Sequence, residues 1–221
     1  MDVIFLQEVA QYKDEEIVIA NIKPSNYAYQ IQQLLKEQGY TYFLYYEPIK
    51  FSFNKYDEGV AILSKSPLQN VTSHFISKQK DYQSWKTRKI ISGELNLNNT
   101  NYQFISAHLG WNDEIERYDD QFTEMMKLIN QNSVVIIGGD FNISPRTKEY
   151  ASILKSGLID LYGLNPKYLF VPTHKPNIDI HEGGTRIDYI FSNHHLEVYD
   201  RDILFKENTV SDHFGVFLEI K

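Results

Sequence analysis

The segment VVIIGGDFNISP, residues 134–145, decides how the rest of the chain is read. Val134 to Ile137 has the composition of a buried strand, yet the run ends in two glycines, a carboxylate and a carboxamide. Packing alone does not call for that ending. Glycines permit a close backbone approach, and Asp140 and Asn142 share one face if the chain stays extended. The alternative is local, since Asp and Asn shortly before Pro145 suit an Asx turn.

Apolar runs meet dense polar groups at four other places: LQE at Leu6–Glu8, SAHLGWND at Ser106–Asp113, TRIDYI at Thr185–Ile190 and VSDHFGV at Val210–Val216. Repeated polar strand ends are expected to converge at the rim of the sheets, where loops carry function on a rigid scaffold. Glu8, Asp140, Asp188 and Asp212 supply oxygen ligands or proton acceptors, and His108 and His213 can exchange a proton near neutrality. Such a donor set favours Mg²⁺ or Mn²⁺. The lack of cysteine and of a close His pair such as HExxH argues against zinc. The adjacent His194 and His195 follow a turn at Asn193 and read as surface residues. Gathered carboxylates repel one another unless a cation or a shared proton compensates. A histidine beside a carboxylate can then take a proton from water, while the ion polarises a phosphoryl oxygen. Metal-assisted phosphoester hydrolysis is the leading reading of these residues, although polar rims alone do not separate it from another hydrolase.

The chain has 221 residues, 42% of them hydrophobic, enough for one sizeable core, so a single domain over 1–221 is expected. No linker, repeat or low-complexity run interrupts it. No apolar stretch approaches membrane-spanning length, and charged residues occupy the N-terminus where a signal peptide needs its apolar core. A soluble, cytoplasmic monomer is the expectation. The absence of cysteine excludes disulfides and thiolate chemistry. With 22 basic and 29 acidic residues the net charge is −7, which weighs against a broad duplex-binding footprint. A divalent cation in a carboxylate cleft would reverse the field locally and admit an anionic substrate.

Residues 3–6 read as a short strand running into Gln7 and Glu8, and residues 17–22 as a weaker apolar run. Residues 27–38 have helical spacing in Ile31, Leu34 and Leu35, with Gly39 as the stop. β-prone runs follow at 41–46, 59–63, 71–76, 88–97 and 102–108, with NLNNTNY as the turn between the last two. The spacing of Ile115, Tyr118, Phe122, Met125 and Ile129 predicts a helix over 113–130 with these residues in the core. A strand at 134–137, a helix at 148–155 and strands at 187–191, 196–199 and 214–220 complete the order. Many strands with few helices point to packed sheets flanked by helices, a layered α+β or α/β-sandwich. The glycine pairs ending at Gly139 and Gly184 lack GxGxxG spacing and give no support to a nucleotide-cradling loop.

The motifs LQE, EGVAILSK, SAHL, GGDFN, TRIDYIF and SDHFGV, in this order, resemble the endonuclease/exonuclease/phosphatase superfamily, the metal-dependent phosphoesterases related to DNase I, exonuclease III and neutral sphingomyelinases. The resemblance runs nearly end to end. It implies a four-layered α/β-sandwich, with two sheets packed face to face and helices outside. It implies Glu8 as the metal carboxylate with Asp212 beside it, His213 as the catalytic histidine and Asp188 as its carboxylate partner. Whether that histidine is a general base or a contact to the scissile phosphate stays open. Asp140 would orient or deprotonate the attacking water, Asn142 would hold a phosphate oxygen, and His108 would donate to the phosphate as charge develops. Glu58 of DEGVAI would fix the tautomer of His108, the alternative being a solvated acidic loop. The expected reaction is one-step hydrolysis with in-line attack by water.

Members of that superfamily usually open with a further strand ending in asparagine, and a helix, before LQE. Here Met1 directly precedes DVIFLQE, so an N-terminally shortened domain lacking the first strand and helix is expected. Two features bear on the substrate. DYQSWKTRK (Asp81–Lys89) sets Lys86, Arg88, Lys89 and nearby Lys80 around Trp85, and HLGWNDE places Trp111 close behind His108. The tryptophans could stack on a base, sugar or lipid headgroup, with Arg88 binding substrate. The alternative packs Trp85 on a sheet edge with the cations facing solvent. The W-K-T-R and H-L-G-W segments resemble uncharacterised or sphingomyelinase-like branches more than the DNA-repair branch. The expected partner is therefore a compact phosphodiester or phosphomonoester. DNA cleavage with Mg²⁺ is the alternative within this chemistry, and a noncatalytic binding module that kept the fold is the alternative from another class.

Overall fold

A computed structural model of the chain describes residues 2–175, 184–207 and 210–221. Gly183, the first member of the second glycine pair, lies outside the described residues. The order is β1 (Val3–Tyr12), α1 (Tyr27–Glu37), β2 (Phe43–Ser52), β3 (Tyr56–Ser64), β4 (Gln69–Phe75), β5 (Lys89–Leu97), β6 (Thr100–His108) and α2 (Tyr118–Met126). It continues with β7 (Val134–Asp140), α3 (Lys148–Lys155), β8 (Ile159–Asp160), β9 (Asp188–Ser192), β10 (Val198–Leu204) and β11 (Gly215–Ile220).

Three strands form one sheet in the order β1-β3-β2, and six form a second in the order β4-β5-β6-β7-β9-β8, with β10 and β11 paired as a separate ribbon. Three apolar clusters stack these elements. Val9, Tyr46, Ala61 and Leu63 of the first sheet meet Ala28, Ile31 and Leu35 of α1. Ile49, Val60 and Ile62 meet Ile91, Phe104 and Ile136 between the two sheets. Ile105, Val135, Ile137 and Phe191 meet Tyr118, Phe122 and Met125 of α2 and Tyr150 and Ile153 of α3. The layers are thus helix, sheet, sheet, helix, the four-layered α/β-sandwich expected. Strands β3 and β7 are covered on both faces, which is why VAIL and VVII are continuous apolar runs.

Gly138 is required by the sheet-on-sheet contact. A Cβ there would lie 2.2 Å from the ring of Phe5 on β1. Gly138→Ala is expected to destabilise the fold by about 1–3 kcal/mol through overpacking, as read by urea unfolding. Pairing it with Phe5→Leu should recover part of that loss. An unchanged unfolding midpoint would show that the two sheets separate more easily than this packing implies.

The helix predicted over 113–130 is confined to Tyr118–Met126. Asp113 Oδ1 accepts from the backbone N–H groups of Ile115 and Glu116, each at 2.7 Å, so a side-chain-closed turn replaces the first helical turn. Ile115 is consequently exposed rather than in the core, whereas Tyr118, Phe122, Met125 and Ile129 are buried. Residues 17–22 form no extended strand. They make a tight turn in which Val18 N–H donates to Ile22 O at 2.8 Å, leaving Ile17, Val18 and Ile19 exposed. Among the described residues no helix is long and apolar enough to cross a membrane.

Candidate active site

Two ranks of polar residues face each other at one end of the sandwich. In the second sheet, strand register sets His108 of β6 opposite Asp140 of β7, and Asp140 opposite Asp188 of β9. In the first sheet, Lys50 of β2 pairs with Glu58 of β3. Glu8 stands beside them because β1 loses register between Leu6 and Val9. At this bulge Glu8 adopts φ +52°, a left-handed conformation that a non-glycine residue holds only when the surrounding structure imposes it.

The ending of β7 satisfies both readings of GGDFN. Asp140 Oδ1 accepts from Asn142 N–H at 2.8 Å, an Asx turn, and the same carboxylate belongs to the rank. The chain does not stay extended, so Asn142 reaches the site by another route. It takes φ +51°, and its Nδ2 donates to Leu109 O at 2.8 Å while approaching His108 Nε2 at 3.3 Å. His108 Nε2 lies 3.6 Å from Asp140 Oδ2. Burial, then the charges of Arg88, Lys50 and His213, hold the His108 pKa well below the ordinary imidazole value. The ring is neutral at pH 7.

His213 Nδ1 lies 3.1 and 3.2 Å from the two carboxylate oxygens of Asp188. Burial opposes a charged ring, but the Asp188 hydrogen bond and the charges of Asp188, Asp140 and Asp212 outweigh it and raise His213 to about 9. Asp140 is pushed up to about 8, first by burial and then by Asp188 across the strand pair. In metal-free protein the His213 ring should therefore stay charged at pH 7. Its contribution to stability is fully present below the ordinary value of 6.5 and is lost as pH climbs through about 9. An NMR titration of the imidazole should show this, and Asp188→Asn should bring the midpoint down by more than one unit. A midpoint that ignores the substitution would deny the pair its coupling.

Among the described residues three donor groups lie with one ligand atom per residue inside 4.8 Å: Glu8, Glu58 and His108; Asp140, Asp188 and His213; and His174, Asp212 and His213. Glu8 and Asp212, expected together, fall in different groups. Glu8 is carried on the β1 bulge, whereas Asp212 follows Ser211 on the loop before β11 and its Oδ2 lies 3.8 Å from His174 Nε2. Displaced water, then the Glu58 charge, raises the Glu8 carboxyl even though its tip reaches solvent, and Asp212 adds to the effect. Carboxylates close enough to raise Glu8 fit a hard divalent cation in chemistry and placement.

Glu58 is neither loop nor solvated. It is a buried β3 residue whose Oε1 is 2.9 Å from Lys50 Nζ, and no hydrogen bond joins it to His108 among the described residues. Lys50 was missed from the sequence, though a lone lysine inside the apolar run of β2 was a legible signal. His174 was missed because nothing in PTHKP marks it.

Arg88 is buried, and its Nη1 donates to the carbonyls of Trp85 at 2.7 Å and Thr87 at 3.1 Å, anchoring its own loop. Lys86 pairs with Asp113 at 2.7 Å, Lys89 pairs with Glu47, and Lys80 lies over the Phe75 ring. Lys86 and Lys89 are thus spent on this protein's own groups, whereas Arg88 keeps a buried Nε with no hydrogen-bond partner and lies in electrostatic reach of Glu58, Asp140 and Glu8. Trp85 and Trp111 remain exposed, at 60% and 54%, so Trp85 does not pack a sheet edge.

The sequence model of the endonuclease/exonuclease/phosphatase family matches residues 1–213. The fold resembles that of an endonuclease/exonuclease/phosphatase family protein from Leptotrichia buccalis, with TM-score 0.90 and 27% identity over 100% of this chain and 87% of that one. The human Nocturnin catalytic domain with bound sulfate gives TM-score 0.68 at 19% identity, covering 100% of this chain and 81% of that one. An AP endonuclease from Archaeoglobus fulgidus gives 0.65 at 18%, covering 99% and 88%. No curated protein matches the sequence.

Proposed function

The chain belongs to the endonuclease/exonuclease/phosphatase family, whose members are typically hydrolases of phosphoester bonds, and from that premise we propose that it is a divalent-metal-dependent phosphoesterase acting on a compact phosphodiester or phosphomonoester. The observation that carries this reading is the His213–Asp188 pair, facing Asp140 and His108 in one rank, with the carboxylates of Glu8 and Glu58 opposite. A binding module needs no such proton-exchanging pair.

Glu8 is the proposed principal ligand of Mg²⁺ or Mn²⁺, with Glu58 and Asp212 in electrostatic reach. When bound, that ion supplies Lewis acidity at a phosphoryl oxygen and steadies the leaving oxygen. Asp140 is the proposed acceptor of the attacking water's proton; burial and Asp188 raise it to about 8, so the positive charge of the cation would be what holds it ionised at pH 7. Asp188 keeps the His213 ring charged and oriented, so Nε2–H can donate to the phosphate as negative charge grows. This favours the phosphate-contact role for His213 over the general-base role. His108 and Asn142, side by side with Nε2 and Nδ2 at 3.3 Å, form the polar wall on the other side.

The self-paired cations and the net charge of −7 support a compact substrate over a duplex. The exposed Trp85 and Trp111 are what speak for the nuclease alternative, since both can stack on bases. A Mg²⁺- or Mn²⁺-supplemented panel tests the proposal, comparing bis-p-nitrophenyl phosphate, p-nitrophenyl phosphate, single-stranded DNA and duplex DNA. Turnover of the small esters that disappears with EDTA supports it. Cleavage confined to DNA selects the alternative, and no turnover with no measurable Mg²⁺ or Mn²⁺ binding selects the noncatalytic module.

A further inference from the structure

His174 belongs to neither rank, yet the backbone presses it against the site. Its N–H donates to Thr185 O at 3.0 Å, and its carbonyl accepts from Thr185 N–H at 3.0 Å. On its other side Phe214 N–H donates to Thr173 O at 2.7 Å and Lys175 N–H donates to Asp212 O at 2.8 Å. His174 and His213 are therefore opposed partners of an antiparallel bridge, with ring centroids 4.7 Å apart. His174 Nε2 lies 3.8 Å from Asp212 Oδ2, and its Nδ1 is buried with no hydrogen-bond partner. An imidazole held so firmly with its nitrogens unspent points to a ligand.

We propose that His174, Asp212 and His213 form a cation site of their own, selective for a borderline ion such as Zn²⁺ over Mg²⁺. The three supply two imidazoles and one carboxylate, a nitrogen-rich set that suits Zn²⁺, whereas Mg²⁺ prefers an octahedron of oxygens. The hydrogen bond from His213 Nδ1 to Asp188 orients that ring with Nε2 available to exchange its proton for the ion, the arrangement in which a carboxylate fixes a metal-binding imidazole. Donors on a tetrahedral ion with bonds of about 2 Å lie roughly 3.3 Å apart, so a small inward swing of Asp212 completes the set. Its side chain is 55% exposed, and the side-chain hydrogen bond it accepts, from Ser211 Oγ to Oδ1 at 3.2 Å, yields in that movement. Three protein ligands leave a fourth position for water. Occupancy takes His213 away from the phosphate, so the site acts as a metal-operated brake. The brake, unlike the site, rests on the role proposed for His213 above.

The test is Co²⁺ and Zn²⁺ binding to the metal-free full chain, without substrate, so that it stands whether or not the phosphoesterase reading does. Wild type is expected to give visible Co²⁺ absorption that Zn²⁺ displaces and excess Mg²⁺ does not. His174→Phe should weaken Zn²⁺ binding at least tenfold. Because that variant could disturb the bridge, imidazole ¹H–¹⁵N spectra of wild type provide the second measurement. Zn²⁺ should shift the His174 and His213 rings together. Equal affinity in a folded His174→Phe protein, shifts confined to His194 and His195, or displacement of Co²⁺ by Mg²⁺ would each overturn the proposal.

Discussion

His213→Ala is expected to lower phosphoester turnover by roughly 10²–10⁴-fold, the range over which a positioned proton donor or acceptor contributes. The His213 ring is part-buried on the loop before β11. Its neighbours are Asp188, bonded at 3.1 Å, and His174, so its loss removes charge and a donor without opening the core. The backbone bond from Phe214 to Thr173 that holds the loop survives the substitution. Circular dichroism should stay near wild type at 25 °C and the unfolding midpoint should fall at pH 7, because the stability supplied by the charged ring is lost, while activity falls at temperatures where the variant is fully folded. Asp188→Asn should reproduce much of the loss, because the amide neither charges nor orients the ring. Turnover of His213→Ala within tenfold of wild type would place the chemistry elsewhere.

Asp160→Ala should be among the most destabilising single substitutions, at about 3–5 kcal/mol in chemical denaturation, because it leaves a buried cation uncompensated. Arg186 and Asp160 are fully enclosed and form a close ion pair, with Tyr150 Oη donating to the same carboxylate at 2.7 Å. The guanidinium also donates to Leu169 O and lies over the Tyr189 and Tyr162 rings. This cluster sits two positions before Asp188 and sets the start of β9, so stability and site geometry are coupled through one arginine. The double substitution Asp160→Ala with Arg186→Met should cost less than Asp160→Ala alone, since no buried charge remains. A double variant worse than the single would assign the effect to packing instead of electrostatics.

Metal dependence, if it follows the proposed ligands, should respond to Glu8 before Asp212. Glu8 is pinned by the β1 bulge among Glu58 and Lys50, whereas Asp212 is more than half exposed on a loop. Glu8→Gln should weaken Mn²⁺ binding about tenfold or more in calorimetry, and Asp212→Asn by less. The reverse order would move the ion to the Asp212 side of the cleft.

The sequence alone located most of the strands and helices and drew attention to the polar strand ends. Those signals are local: VAIL and VVII are apolar because their strands are covered on both faces, and a glycine beside each marks a close backbone approach. It also determined the helix–sheet–sheet–helix layering, through a motif order that resembles one family. Tertiary structure decided what depends on register and on partners distant in the chain. The rank His108–Asp140–Asp188 exists because β6, β7 and β9 align at those residues, and no single segment encodes that alignment. Glu8 turns toward the site through a bulge, Asn142 reaches it from a left-handed turn, and Lys86 and Lys89 are paired by residues far along the chain. Lys50 and His174 became part of the cleft only when the backbone set them beside Glu58 and His213. Residue type fixes what a side chain can do, and only packing fixes what it stands next to.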